Sequence, residues 1–582
     1  MTVVSQTPAP QAPSSHAPST RRFLSVPQLG ANTWFVVVAV VAAALVLPPL
    51  VLMVWTSLTP DGTLTNPSAA TLQAYRELFT STSFKKIAMD TLVFTVGSSV
   101  FALALGIVMA WFVARTNMAG KGLVYACVFL SFAIPGMIEA TGWILLLGKG
   151  AGVAREPIER LIGFAPVIQS MPGIIVVQAL SWAPMVFLLL VGAFRAMDAS
   201  LEESALTSGA GRWAVLRRIT GPLMGPSILA VLMLVVVRAV QAFEIPLFLG
   251  SSAGIRTFTT EIYSGLRKSF VPDYARAAAY GTLLVCVLSV GLYLYHRATK
   301  IGSRFTTVTG KAFRARETDL GPWRWVAGGV ALLVLVLYIA PVLTMLLTSL
   351  WPQIGRGAGL GEFTWENYQQ LANYRDIWSG VRNSLFVGIG AASLATLLCL
   401  AAAFLIVRTK IRGRQSLDHL LSIPMVIPGT VLGLAFLITY LRVPIGIYGT
   451  LWLLVLAFIA HYSPYAMRYL QPTLLQISPD IDDASRVAGA SEMTVFRKIL
   501  LPLVMPAVIG SWLYIFFHAF RDVSIASMLY TAGTPVVATQ LLDMWQDGTA
   551  GVLSAYGSLL SIASILVGAF AFRLSKRFGF QL

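Results

Sequence analysis

The sequence predicts an all-α polytopic membrane protein with about 12 transmembrane helices in two parallel six-helix repeats. Three observations carry that expectation. Of 582 residues, 56% are hydrophobic and only 12% charged, whereas a solvated globular chain has about 25% charged. Twelve apolar runs, six in each half, come close to the length a helix needs to cross a hydrocarbon core, about 20 residues. The two halves also repeat one another at fixed spacing, which is the mark of a duplication. A net charge of +17 would suggest nucleic acid in a soluble chain. In a membrane protein it belongs first to the basic excess of cytoplasmic loops, so the expected surroundings are a lipid bilayer and no nucleic acid.

Residues 1–32 place Pro8, Pro10, Pro13 and Pro18 among Ser, Ala and Gln. They have too little apolar content to fold and are expected to form a disordered cytoplasmic tail. A first lobe, residues 33–296, holds spans at 33–58, 89–114, 122–148, 172–198, 223–249 and 277–296. Residues 297–324 carry Arg297, Lys300, Arg304, Lys311, Arg314, Arg316 and Arg324 and are the most basic stretch, expected as a cytoplasmic linker. A second lobe, residues 325–582, holds spans at 325–350, 384–407, 418–441, 448–475, 503–530 and 554–572. Trp34, Trp55, Trp323 and Trp351 stand at run ends, where interfacial anchors are expected. Lys and Arg are more frequent in the segments that face inward when the N-terminus is inside, which puts both termini in the cytoplasm.

Cys127, Cys286 and Cys399 all lie within apolar runs, and the histidines are scattered. Neither a disulfide framework nor a metal site is expected. No Walker A string is present: Gly148 and Thr309 open the nearest candidates, and both lack the Gly-Lys-Ser/Thr ending that completes a phosphate cradle. No cofactor is expected on this chain.

The repeat has two registers. At an offset of 293, Arg115, Thr116, Gly120, Pro135 and Gly136 match Arg408, Thr409, Gly413, Pro428 and Gly429. At an offset of 280, Glu203, Gly209, Ala210, Arg217, Ile219, Pro222 and Pro226 match Asp483, Gly489, Ala490, Arg497, Ile499, Pro502 and Pro506. Six spans per copy is an even number, so the repeat is parallel and both of these loops face the cytoplasm. Each loop reads as a short helix, a sharp turn at Gly209 or Gly489, and a second helix. Asp198 or Ser200 is expected to cap the first helix, with Glu203 as capping-box partner. Ser478 and Pro479 start the second copy, and Pro222 and Pro502 fall in the first turn of the next span.

These loops resemble the Glu-Ala-Ala motif of ABC importer permeases, with Gly, Ile and Pro at the same spacing. The resemblance extends from near Tyr75 to Trp545, and Phe243–Tyr263 and Phe520–Trp545 are similar to segments of fused two-lobe permeases of the ferric iron type. It implies a type I importer permease fold in which each loop forms a coupling helix that docks on an ATPase subunit. That role passes to Glu203, Ser204, Ala205, Gly209, Ile219 and Pro222, and to Asp483, Ala484, Ser485, Gly489, Ile499 and Pro502. It further implies two ABC ATPase subunits that use the ATP, and a separate extracytoplasmic solute-binding protein. Ferric iron is the implied solute, with thiamine and aminoethylphosphonate as alternatives within the class.

Charges inside spans are costly and default to function. Glu139, in the third span, Arg238 and Glu244, in the fifth, and Arg521 and Asp522, in the eleventh, are the candidates for the translocation path, with the acids favouring a cation. The competing reading is that Arg and acid pair to hold the lobes together. A rival class, the ion-coupled secondary transporter, also has parallel repeats.

Overall fold

The computed structural model describes residues 28–59, 70–150, 152–197, 199–302, 317–352, 363–374 and 376–577. The expected tail, except its last residues, lies outside them, as do residues 303–316 of the linker and Asp198. Every regular element among the described residues is helical.

The first lobe contains α1 (Gln28–Ser57), α2 (Gln73–Thr80), α3 (Thr82–Arg115), α4 (Lys121–Ala133), α5 (Gly136–Leu147), α6 (Arg155–Ile162), α7 (Met171–Ala196), α8 (Ala199–Thr207), α9 (Arg212–Val215), α10 (Gly221–Gln241), α11 (Phe258–Arg267) and α12 (Tyr274–Gly302). The second contains α13 (Trp323–Ser349), α14 (Glu366–Ala372), α15 (Ile377–Arg408), α16 (Arg414–Ser422), α17 (Gly429–Arg442), α18 (Leu451–Gln476), α19 (Asp480–Val487), α20 (Glu492–Val495), α21 (Leu501–Arg521), α22 (Val523–Leu529), α23 (Val537–Gln546) and α24 (Ala550–Arg577).

Among the described residues, nine helices are long and apolar enough to cross a bilayer, and two bent pairs, α4 with α5 and α16 with α17, bring the number to eleven. The bends measure 107° and 108°. They sit at Pro135 and Pro428, which cannot continue a helix from the preceding turn. α18 has 26 residues, as does its equivalent α7. The polar run from His461 to Tyr465 makes it less apolar than its neighbours, and much of it is buried among other helices.

Helices in lipid gain little from hydrophobic driving force and associate through close packing. α3 packs on α7 in the first lobe, and α15 packs on α18 and α21 in the second. Gly106 permits one such approach, because a Cβ there would meet the Val186 side chain and come within 3.1 Å of the Ala183 carbonyl. The opening helix of each lobe crosses over: α1 packs on α17 of the second lobe, and α13 packs on α4 and α5 of the first. The described end of the linker reinforces this exchange. Thr318 N–H donates to Arg115 O (2.8 Å), Asn117 Nδ2 to Asp319 Oδ1 (2.6 Å), and Lys121 Nζ lies 2.6 Å from Glu317 Oε1.

Three expectations need correction. The fifth and eleventh spans were expected to run unbroken to 249 and 530, but helix ends at Gln241 and Arg521 and the chain changes direction there. Apolar residues resume directly past Gln241–Glu244 and Arg521–Asp522, so hydropathy averaged over a span does not register the break. Pro222 and Pro502 do fall in the first turn of α10 and α21, but that turn is not where the helical stretch starts. Each follows a π-turn, Leu216–Thr220 or Phe496–Leu500, in a helical stretch that begins earlier. The i→i−5 bond from Gly221 N to Leu216 O widens the ladder just where a proline lacks its donor. Trp351 is not an interfacial anchor: it is only 2% exposed, whereas Trp34 and Trp323 are 66% and 68% exposed.

Candidate functional site

Two regions gather the candidate residues, the paired loops at one end of the bundle and the helix breaks along its axis. In the loops, α8 ends in a Schellman turn. Ala210 N–H bonds Ala205 O at 3.0 Å, and Gly209 takes φ +86°, a left-handed conformation that costs other residues about 1 kcal/mol or more. The second loop reproduces it with Ala490 N–H to Ser485 O at 3.0 Å and Gly489 at φ +84°. No atom lies within 4 Å of a Cβ placed at either glycine, so the requirement is conformational rather than steric. Glu203, Ser204, Gly209 and Pro222 are exposed, as are Asp483, Ala484, Gly489 and Pro502, while Ala205, Ser485, Ile219 and Ile499 are half-buried. Trp213, Val487 and Leu206 add exposed apolar surface beside Arg217, Arg218, Arg497 and Lys498. This is a surface suited to docking. Ser200 lies inside α8, one residue past its start, rather than before it, and the other cap candidate, Asp198, lies outside the described residues. In the second loop Asp480 N–H does bond Ser478 Oγ at 3.3 Å.

Sequence reasoning missed the acids immediately before the motif. Glu202 pairs with the buried Arg115 at the end of α3, and Asp482 Oδ2 lies 3.1 Å from Arg408 Nη1 at the end of α15. Arg115 and Arg408 were visible as repeat matches, but nothing in the linear pattern tells which of two consecutive acids turns inward.

Along the axis, four breaks meet: the bends before α5 and α17, and the ends of α10 and α21. Arg521 Nη1 donates to Phe132 O of the other lobe at 3.0 Å. At the equivalent place, Gln241 Nε2 donates to Val426 O at 3.1 Å and Met425 O at 3.4 Å. Arg521 is the repeat partner of Gln241, and Met425 is that of Phe132, so the two contacts are one contact made twice. Glu244 lies beyond the end of α10. Its carboxylate faces the amide ends of Met137 in α5 and Val523 in α22, close to Arg521 and Asp522. Gly136 makes this possible, since a Cβ there would collide with that carboxylate. Asp522 caps α22, accepting from Ile525 N–H at 2.8 Å and from Tyr462 Oη at 2.8 Å. Glu139 lies near Glu244 and faces Ser181.

Arg238 sits one turn before this level, 5.8 Å over the Tyr465 ring of the other lobe. The wall it faces is aromatic and belongs to the second lobe alone. His518 stacks on Tyr514 with centroids 4.1 Å apart, and Tyr465 and Tyr469 lie 5.3 and 5.8 Å from Tyr514. The matching first-lobe positions are Arg238, Leu234, Met185 and Leu189. The path candidates therefore come together, though Asp522 also has a capping duty and the two lobes present different chemistry. Among the described residues no group of three or more His, Cys, Asp or Glu is placed to hold a metal ion.

A family model described as the binding-protein-dependent transport system inner membrane component matches residues 102–301 and, a second time, residues 395–579. The chain belongs to that family. It is thus a multi-pass inner-membrane permease of the ABC importer class with two fused family domains, and its role is that of a transport subunit. The ferric transport system permease protein FbpB of Actinobacillus pleuropneumoniae is 27% identical over 482 residues, covering 81% of this chain and 68% of that one. The putative ferric transport system permease protein FbpB 1 of Haemophilus influenzae is 27% identical over 446 residues, covering 75% and 68%. The spermidine/putrescine transport system permease protein PotC of the same organism is 26% identical over 232 residues, covering 40% of this chain and 90% of that one. Among solved structures, a bacterial ABC transporter involved in the import of the acidic polysaccharide alginate covers 44% of this permease and 96% of its own chain, with 16% identity and a TM-score of 0.37.

Proposed function

We propose that this permease forms the path for ferric iron in an ATP-driven importer assembled from one copy of the chain, two ATPase subunits and one extracytoplasmic solute-binding protein. The observation that carries the solute is the two-lobe match: the relatives that align across both halves of the chain include ferric transport permeases, whereas the PotC match covers 40% of it. The acids Glu139, Glu244 and Asp522 at the meeting point of the breaks suit a cation in transit. The loops carrying Glu203 and Asp483 dock the two ATPases from the cytoplasm, which puts both termini on that side. ATP binding draws the ATPases together, the loops follow, and the lobes rock about the axis between them. This chain hydrolyses no nucleotide.

The experiment is uptake into proteoliposomes containing the permease and its ATPase subunits, with binding protein supplied outside. Ferric iron, thiamine and aminoethylphosphonate are compared side by side. ATP-dependent accumulation of ferric iron alone is expected. Accumulation of either other solute would reassign the cargo, and uptake without the ATPases would replace the importer with an ion-coupled transporter.

A further inference from the structure

The two acids that open each loop motif have divided roles. Glu203 and Asp483 are exposed, while Glu202 and Asp482, one residue earlier, turn into the bundle. There each meets an arginine that ends a long core helix. Arg115, 2% exposed, and Arg408, 4% exposed, are the last residues of α3 and α15 and are repeat partners. Each arginine also grips the end of a second core helix. Arg115 Nη1 donates to Met197 O at 3.4 Å, just past α7, and Arg408 Nη2 donates to Ile477 O at 3.0 Å and Leu474 O at 3.3 Å, at the end of α18. A guanidinium presents five donors in a planar fork, so one side chain can hold all three elements in fixed relation. In the first lobe a fourth element joins: Thr220 Oγ1, in the π-turn before α10, donates to Glu202 Oε1 at 2.6 Å. Its partner in the second lobe is Leu500, which has no hydroxyl.

We propose that Arg115 with Glu202, and Arg408 with Asp482, are positioning struts that carry the displacement of each coupling helix into the core helices α3 and α15. The inference rests on the reading of α8 and α19 as docking helices. α8 is a nine-residue helix followed by a turn with a glycine at φ +86°. A push on its exposed face would be absorbed by rotation at that hinge unless the opposite face were tied to the bundle. The struts supply that tie, and they do so twice at equivalent positions in one chain. That duplication is what separates them from an incidental buried ion pair. The same apposition brings span ends and loop together at one charged node, so α3, α7 and α8 move as one body in the first lobe, as do α15, α18 and α19 in the second.

The test uses the full assembly. Removing one partner alone would strand a buried charge, so both are replaced: Arg115→Met with Glu202→Leu, and Arg408→Met with Asp482→Leu. The readouts are copurification of the ATPase subunits, ATP hydrolysis, and ferric iron delivered per ATP. The expected result is an assembled, hydrolysing complex whose iron uptake per ATP falls about tenfold, the size of a coupling loss of about 1.4 kcal/mol. Glu202→Asp, which keeps the charge, should recover most of that ratio, as a merely structural packing role would not require. Unchanged uptake per ATP would overturn the struts, and so would loss of the ATPases from the complex, which would make the pairs simple supports of the docking surface. Cross-linking from Ser204→Cys to the ATPase chain separates the two levels. If it fails, the docking reading falls and the struts with it; if it succeeds while uptake per ATP is unchanged, only the struts fall.

Discussion

Arg521 reaches across the molecular axis to the carbonyl of Phe132, 3.0 Å away, and ties the end of α21 in one lobe to the bend before α5 in the other. Gln241 makes the reciprocal tie to Val426 and Met425. The two lobes are thus joined where all four central helices are interrupted. A hydrogen bond from a charged donor contributes about 1.5–3 kcal/mol and a neutral one about 1 kcal/mol. Together they are large enough to bias a two-state equilibrium about a hundredfold. Replacing both by alanine should therefore shift the population of lobe separations. Spin labels on α5 and α22 would read a new or broadened distance in Q241A/R521A; an unchanged distribution would show that the bonds do not set the separation of the lobes.

Glu244 and Asp522 differ in what neutralisation should do. Asp522 caps α22 and holds the Tyr462 hydroxyl, so Asp522→Asn keeps the acceptor but weakens a charge-assisted cap, at a cost of about 1 kcal/mol. Glu244 sits beside breaks of both lobes and faces the first amides of α5 and α22, although it is not the residue that precedes either helix. Glu244→Gln should lower iron uptake with a smaller loss of thermal stability than Asp522→Asn, which should lower both. Normal transport by both variants in normally assembled complexes would remove these acids from the path.

How much of this was legible depends on whether the signal is local. Gly209 and Gly489 were readable because a Schellman turn needs a left-handed residue, and the repeat showed the same glycine twice. Pro135 and Pro428 marked the bends for a similar local reason. The breaks after Gln241 and Arg521 were not readable, because apolar helical residues resume at once, Ile245 to Phe248 in the first lobe and Val523 to Leu529 in the second. Glu202 and Asp482 stayed hidden since adjacent acids on a helix point about 100° apart, and only the tertiary partner tells which one is inside. The aromatic wall of α18 and α21 is set by facing across helices and has no counterpart in the first lobe to reveal it.

Gly136 offers a steric test of the same centre. A methyl group there collides with the Glu244 carboxylate, so Gly136→Ala must displace that side chain or shift the start of α5. At Gly429, the repeat partner, a Cβ would lie 2.9 Å from the Ser524 Cβ. Gly136→Ala should reduce uptake, and shortening the acid through Glu244→Asp in the same chain should restore part of it. Absence of any rescue would show that the glycine serves helix packing rather than the position of Glu244.

The buried ion pairs make a prediction about stability that is separate from coupling. Breaking a buried pair by removing one member leaves a charge with no compensation and costs about 3–5 kcal/mol, while replacing both members with apolar residues of similar size is often neutral. Arg408 and Asp482 side chains are 4% and 1% exposed, and those of Arg115 and Glu202 are 3% and 19% exposed. Water can reach the first-lobe pair through Glu202 and soften the loss there. Asp482→Ala should accordingly lower the thermal denaturation midpoint of the detergent-purified permease more than Glu202→Ala, and Arg408→Met added to Asp482→Leu should recover most of it. Equal losses for the two single variants would mean that solvent access at the coupling loops does not control the energy of these pairs.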